Sequence, residues 1–304
     1  MVAVEVVDLR KSYGAVEAVR GISLSVAEGE VFALLGPNGA GKTTTVEILE
    51  GFRRRDSGDV SVLGFDPAHG DRKLKEQLGI VLQTSGVDPY LTVAETVDMF
   101  RGYYPKPRPR DEVLELVGLT EKADSRVTKL SGGQQRRLDV AIALAGDPRL
   151  LFLDEPTTGF DPSARRNAWE VIKGLAGLGK TIFLTSHSMD EVQYLADRVV
   201  IIAAGKVVAE GTPDTLAGRE KAAAIVRFQM PENAVLPGGL GLVARIDDGI
   251  VRLETGDPTR TLYELTSWAV QSDIELGGLE VTRPSLEDVY LEITKNVAGS
   301  ETKE

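Results

Sequence analysis

The residues with the clearest chemical signature occupy positions 36–44, which read GPNGAGKTT. This stretch fits G-x-x-x-x-G-K-[ST], the pattern of a loop that cradles phosphate groups. Because glycine has no Cβ atom, the backbone can wrap a phosphate chain closely, with its N–H groups pointing inward. Lys42 could then reach the β- and γ-phosphates, and the Thr43 hydroxyl could bind Mg²⁺. The alternative is a glycine-rich turn that carries Lys-Thr by coincidence.

Two neighbouring acids form a second candidate group. Asp154 and Glu155 follow the apolar run of residues 150–153, which is typical of a buried strand. At the end of such a strand, Asp154 could hold Mg²⁺ through water, and Glu155 could polarise a nucleophilic water. A capping pair for the next helix is the alternative interpretation.

Single polar residues follow two further strand-like runs. Gln83 ends the run of residues 79–82, and His187 ends the run of residues 181–186. In open α/β sheets, ligands bind at the carboxyl ends of the strands, so both side chains are candidates for nucleotide contact. A lone histidine is nevertheless usually structural. Tyr13 could stack on an adenine ring, although a tyrosine at that place is more often a packed edge residue.

The second glycine-containing motif is Ser131-Gly132-Gly133-Gln134. Ser131 is a natural N-cap, and glycines at a helix start leave an anion-binding terminus. Taken alone, the motif is a capping turn. A protein that already has a phosphate loop does not need a second anion-binding helix start beside the same phosphates. We therefore interpret this motif as a contact to an anion that is bound elsewhere.

The elements that must position these residues alternate between strand and helix, which predicts an α/β fold with a parallel-sheet core. Residues 2–26 predict an antiparallel β subdomain, with a turn at residues 9–14 and a strand pair bent at Gly21. Residues 84–147 predict a helical subdomain inserted in the α/β domain. We place the end of this nucleotide-binding domain at residue 217, and residues 218–304 form a smaller C-terminal α+β domain.

Composition narrows the functional classes. The chain has 304 residues, no cysteine, two histidines and a formal net charge of −11. It therefore lacks a disulfide framework, offers little for a zinc site, and is not typical of a protein that binds nucleic acid without regard to sequence. We see neither a signal peptide nor an apolar run near the ~18 residues of a membrane span, and expect a soluble chain.

Taken in order, these motifs resemble the ATP-binding subunit of ABC transporters over residues 2–217. The resemblance implies that Tyr13 stacks on adenine, that Glu155 is the general base and that His187 contacts the γ-phosphate. It also implies that Lys42 is catalytic and that Mg²⁺ is held by Thr43, Gln83 and Asp154. The other implied ATP contacts are Gly36, Asn38, Gly39, Ala40, Gly41, Thr44, Ser131, Gly132, Gly133, Gln134 and Asp161.

The resemblance further implies partners. Ser131 and Gly133 are expected to act on ATP held by a second copy, in a head-to-tail dimer with ATP between the subunits. The C-terminal stretch at residues 283–291, RPSLEDVYL, looks like the tail motif of daunorubicin-resistance-type exporter ATPases. A separate membrane permease is then expected, with the chain cytoplasmic at the inner face of the membrane. Phe160 stands where the family usually has leucine.

Other functions remain open at this point. A non-transport ABC ATPase that acts on nucleic acid or the ribosome usually has two nucleotide domains or a long coiled coil, and this acidic chain has neither. A GTPase is disfavoured because no Asn-Lys-x-Asp segment is present. An importer ATPase differs from an exporter ATPase here only through the C-terminal tail motif. The transported compound is not encoded in this chain.

Overall fold

The computed structural model describes residues 1–81, 86–216, 218, 223–230, 244–247 and 249–291. They form two units, of which the first is Met1–Pro213 and the second begins at Asp214. Each unit has its own sheets and its own buried apolar cluster.

The first unit is built on a six-stranded sheet with the order β5-β6-β7-β3-β8-β9. Every neighbouring pair is parallel except β8 and β9. All residues of β3 and β7 are buried, which explains their continuous apolar sequences. The α/β fold with a parallel-sheet core is therefore confirmed. The strands are β3 (Val31–Leu35), β5 (Leu78–Val81), β6 (Leu150–Asp154), β7 (Thr181–Thr185), β8 (Arg198–Ala203) and β9 (Lys206–Gly211).

A three-stranded antiparallel sheet, with the order β2-β1-β4, joins β1 (Val2–Tyr13), β2 (Val16–Ala27) and β4 (Ser57–Val62). The turn predicted at residues 9–14 is wrong, because β1 continues to Tyr13. Register shifts along β1 absorb the irregular sequence without ending the strand.

The predicted strand pair at residues 16–26 is likewise one strand, β2. Gly21 has φ 90°, and a Cβ atom there would lie 2.6 Å from Asp8 Oδ1. Asp8 itself has φ 48°. Glycine is needed because β1 and β2 approach closely at this irregularity, and the strand does not break.

Helices cover the sheet and form the inserted segment. Both α3 and α5 begin with a capping box, made by Thr92 with Glu95 and by Ser131 with Gln134. Three helices, α3 to α5, lie within the residues predicted as helical. The helices of the first unit are α1 (Lys42–Leu49), α2 (Arg72–Lys75), α3 (Val93–Arg101), α4 (Arg110–Leu116), α5 (Gly132–Leu144), α6 (Pro162–Gly177) and α7 (Met189–Leu195).

One buried cluster connects both sheets of the first unit through α1. It contains Val4 and Val60 of the antiparallel sheet, Phe152 and Phe183 of the parallel sheet, and Ile48 of α1. The rings of Phe152 and Phe183 lie 5.4 Å apart between centroids. Because α1 is anchored on this cluster, its N-terminus is fixed at the end of β3, where the phosphate loop lies.

The second unit has a four-stranded antiparallel sheet with the order β11-β12-β10-β13. Its core contains Val226, Phe228, Val251 and Leu253 of the sheet together with Leu265 of the helix. The elements are β10 (Ala224–Gln229), β11 (Ala244–Asp247), β12 (Ile250–Thr255), α8 (Pro258–Gln271) and β13 (Gly277–Thr282). Among the helices in the described part of the chain, none is long and apolar enough to traverse a membrane.

Candidate functional site

The phosphate loop connects β3 to α1. Gly39 and Gly41 have φ values of 80° and 98°, which non-glycine residues rarely adopt. A Cβ atom at Gly36 would lie 2.3 Å from the Ile202 carbonyl oxygen, and one at Gly41 would lie 2.4 Å from the Ala18 carbonyl oxygen. The glycines are therefore required both for the turns of the loop and for its close packing on neighbouring backbone.

Lys42, the first residue of α1, folds back over the loop. Its Nζ donates to the carbonyl oxygens of Gly36 and Pro37, at 2.7 Å and 3.1 Å. Burial lowers the pKa of Lys42, and the charges of Glu155 and Asp154 oppose that shift. The ammonium group thus lies within the field of both acids, which brings the loop and the end of β6 into one site.

The two acids occupy different positions at the end of β6. Asp154 Oδ1 accepts a hydrogen bond from Thr185 Oγ1 at the end of the adjacent β7. Glu155 has a positive φ of 47°, and its Oε2 accepts a hydrogen bond from Thr158 Oγ1 at 3.1 Å. Its Oε1 lies 3.4 Å from Nδ1 of His187. The turn after β6 therefore directs Glu155 towards the histidine that follows β7.

Thr185 was missed by the sequence analysis. Its position at the carboxyl end of a buried strand was the available signal, but the neighbouring order of β6 and β7 is not readable from the sequence. Gln83 lies outside the described residues. The pairing of Glu155 with His187 is a result of the strand order as well.

Ser131 and Gln134 form a reciprocal cap at the start of α5. The backbone N–H of Gln134 donates to Ser131 Oγ at 3.3 Å, and the backbone N–H of Ser131 donates to Gln134 Oε1 at 2.9 Å. The capping interpretation of this motif therefore holds in the isolated chain, and the serine hydroxyl proton is still available to an acceptor. Asp161 likewise caps α6, accepting from the N–H groups of Ser163 and Ala164 at 2.9 Å each.

These two capped termini line one cavity of about 840 Å³, together with Glu155. The cavity wall contains Ser131, Gly132, Gly133 and Asp161, and no residue of the phosphate loop among those that the structure describes. Within one chain, the motif at the start of α5 and the phosphate loop therefore do not share a cavity.

Other predicted residues lie around the loop. Tyr13 is 41% exposed, and its hydroxyl lies 3.4 Å from Thr44 Oγ1. The Arg53 guanidinium lies 5.2 Å from the centroid of the tyrosine ring. Ala40 is buried and its carbonyl accepts from the Gly205 N–H at 3.2 Å, whereas Asn38 and Thr43 are exposed.

The donor set fits Mg²⁺ bound to a nucleotide triphosphate. A threonine hydroxyl and a carboxylate are oxygen ligands of the kind that Mg²⁺ prefers, and loop amides with Lys42 complement phosphate charge. The wall of the loop has no room for a side chain at Gly36 or Gly41. Among the residues that the structure describes, no group of three or more His, Cys, Asp or Glu side chains is placed to hold a metal ion.

Comparison with protein families agrees with this geometry. Residues 19–158 match the family described as "ABC transporter", and residues 224–285 match the "ABC transporter domain-containing protein-like, C-terminal domain". The second unit thus also matches a domain that is described for ABC transporter-like proteins.

Three similar proteins illustrate the relationship. The daunorubicin resistance ATP-binding protein DrrA2 of Streptomyces coeruleorubidus is 36% identical, over 99% of this chain and 98% of that protein. The Nod factor export ATP-binding protein I of Rhizobium sp. strain N33 is 39% identical, over 96% of this chain and 97% of that protein. A solved dimeric ATP-binding cassette in a post-hydrolysis state with ADP and phosphate is 26% identical with a TM-score of 0.61, covering 69% of this chain and 98% of that one.

Sequence identity over the full length and the geometry around Lys42, Asp154 and Glu155 lead to the same conclusion. The chain belongs to the ABC transporter family, as an ATP-binding subunit that hydrolyses ATP with Mg²⁺.

Proposed function

We propose that this chain is the motor subunit of an ABC exporter and works with a membrane permease on a separate chain. The observation that carries the proposal is the full-length similarity to ATP-binding proteins that are named for drug resistance and for export. It extends through the second unit, which we propose as an accessory domain of residues 218–304, after a nucleotide-binding domain of residues 1–217. We propose that the transported compounds are drugs, antibiotics or lipid-like molecules.

At the site, we assign Lys42 and the loop amides to the phosphates, and Thr43, Gln83 and Asp154 to Mg²⁺. Glu155 accepts a proton from the attacking water, and His187 contacts the γ-phosphate. Tyr13 stacks on adenine. The 3.4 Å approach of His187 to Glu155 and the field of both acids at Lys42 support these roles.

Two copies are needed for a complete site. Ser131 and Gly133 contact the ATP of the partner, in a head-to-tail dimer. The proposal is supported by the cavity beside Ser131, whose described lining contains no residue of its own phosphate loop. The solved ATP-binding cassette that is similar to this chain is also a dimer, which supports the proposal of two copies. The permease then holds the dimer at the inner face of the membrane.

The catalytic assignment predicts the behaviour of Glu155→Gln. The amide is nearly the same size and cannot accept the proton, so ATP affinity should be kept while hydrolysis slows by about 10²–10⁴-fold. ATP binding by calorimetry and phosphate release measure the two effects. Glu115→Gln, an exposed substitution on α4, is the control and should have normal turnover. Normal turnover of Glu155→Gln would mean that another group activates the water.

Transport is tested with the same variant. In cells that contain the chain and a permease with which it co-purifies, a compound that stimulates ATP hydrolysis should accumulate less than in cells with Glu155→Gln. Greater accumulation would identify an importer. If nucleic acid or ribosomes, and no permease, stimulated hydrolysis, the non-transport alternative would replace the proposal.

A further inference from the structure

The turn that carries Glu155 is held by an arginine from another element. Arg136, on the second turn of α5, donates from Nη2 to the Asp154 carbonyl at 2.9 Å and from Nε to the Pro156 carbonyl at 3.2 Å. The guanidinium thus binds the carbonyl on each side of Glu155. Its side chain is 11% exposed, and Nη1 lies 3.6 Å from Asp139 Oδ2 on the same helix.

The backbone of Glu155 needs such support. Its φ of 47° lies in the left-handed region, which a non-glycine residue occupies only when its surroundings hold it there. From β7, the Glu155 N–H is bound to the Thr185 carbonyl and hydroxyl oxygens, each at 3.2 Å. Arg136 holds the carbonyl groups of the two residues that flank Glu155. Its planar fork presents several N–H donors in a fixed geometry, which a lysine ammonium does not reproduce.

We propose that Arg136 is a positioning residue for Glu155 and couples the catalytic turn to α5. The inference rests on the proposed function, in which Glu155 is the base and Ser131, at the start of the same helix, contacts the partner's ATP. A single helix then carries a contact to the partner's nucleotide at one end and the support of its own catalytic base one turn further. Movement of α5 on dimer closure is transmitted to the base through two hydrogen bonds.

Two substitutions test the role. Arg136→Lys keeps a positive charge beside Asp139 but cannot bond both carbonyls with the same geometry, and Arg136→Gln removes the charge. We expect kcat to fall about 10-fold for lysine and towards 10²-fold for glutamine, as small displacements of a catalytic group do. KM and Kd for ATP should change by less than about twofold, because the phosphate loop is untouched. The graded order, wild type above lysine above glutamine, is part of the prediction.

Arg101→Gln is the matched control. Arg101, on α3, also donates to a backbone carbonyl, that of Arg108 at 2.7 Å, and also pairs with an acid on its own helix, Asp98. The Arg101→Gln variant therefore loses the same kinds of contact as Arg136→Gln, but at a place away from the turn after β6. Its kcat should stay within about twofold of wild type.

A further variant tests whether Arg136 positions Glu155 or only stabilises helix α5. With Glu155→Gln in the same chain, Arg136→Lys should still form a dimer when ATP is added, because the start of α5 is intact. Loss of that dimer, or unchanged kcat in both Arg136 variants, overturns the inference. Retained hydrolysis in Glu155→Gln alone, with Arg136 present, removes the proposed base and the inference with it. Failure of the proposed base is distinguishable from failure of the Arg136 inference, because it is seen in a variant in which Arg136 is unchanged.

Discussion

A buried carboxyl group lies at the end of α1, the helix that begins at the phosphate loop. Glu50 is 6% exposed, and burial together with the charges of Asp154 and Glu47 raises its pKa to about 8. At neutral pH the group is therefore mainly protonated in the folded chain, whereas in the unfolded chain its pKa is about 4.3.

This difference predicts a pH dependence of stability. The folded state holds the Glu50 proton more tightly than the unfolded state does. The stabilisation that this proton gives the folded state is therefore fully present below about pH 4.3 and is lost as pH rises through about 8. Between pH 5 and pH 8, Glu50→Gln should gain stability relative to wild type, by on the order of a few kcal/mol. Urea unfolding across this range measures the change, with the exposed Glu115→Gln as control. A difference that does not vary with pH would contradict the assignment.

Residue chemistry was partly visible in the sequence. The motifs around Lys42, Glu155 and Ser131 have fixed local spacing, so they could be identified without a structure. Glu50 and Arg136 could not, because nothing in the sequence reveals the burial of Glu50 or the carbonyl groups that Arg136 binds. Both depend on how α1 and α5 pack against the ends of the strands.

At the scale of elements, a single carboxylate joins three parts of the first unit. Glu191 of α7 is 1% exposed. It accepts hydrogen bonds from Thr157 Oγ1 in the loop after β6, at 2.6 Å, and from Trp169 Nε1 of α6, at 3.0 Å. It therefore fixes the loop next to Asp154 and Glu155 against both helices.

Removing this acceptor should be costly. Glu191→Leu leaves two buried donors without their partner, at about 1–3 kcal/mol each, so we expect a loss of roughly 2–6 kcal/mol in the free energy of unfolding. Glu191→Gln keeps an acceptor oxygen and should lose less, about 1 kcal/mol. Chemical denaturation of both variants gives the comparison. An equal loss of unfolding free energy for the leucine and glutamine variants would show that Glu191 contributes through packing alone and not as a hydrogen-bond acceptor.

Elements with a strong local signal were predictable from the sequence, whereas elements whose extent depends on pairing with neighbouring strands were less predictable. The apolar runs of β3 and β7 and the capped starts of α3 and α5 can be read locally. The extent of β1 could not, since its polar residues resemble a turn until pairing with β2 and β4 is known. Strand order, which brings Asp154 to Thr185, is likewise a tertiary property.

At the scale of the whole molecule, each chain carries one phosphate loop and one Ser-Gly-Gly-Gln motif. The proposed dimer makes two composite sites from these parts. Every role assigned to Ser131 depends on that arrangement, because its hydroxyl has to reach ATP held by the other copy.

The most direct test compares Glu155→Gln with the double variant Glu155→Gln/Ser131→Arg, each with ATP, by analytical ultracentrifugation and calorimetry. Both proteins should bind ATP as monomers with equal affinity, because Ser131 does not touch its own nucleotide. Only Glu155→Gln should form a dimer, since the arginine side chain fills the space needed by the partner's γ-phosphate. Weakened ATP binding by the monomeric double variant, or its unimpaired dimerisation, would contradict a composite site.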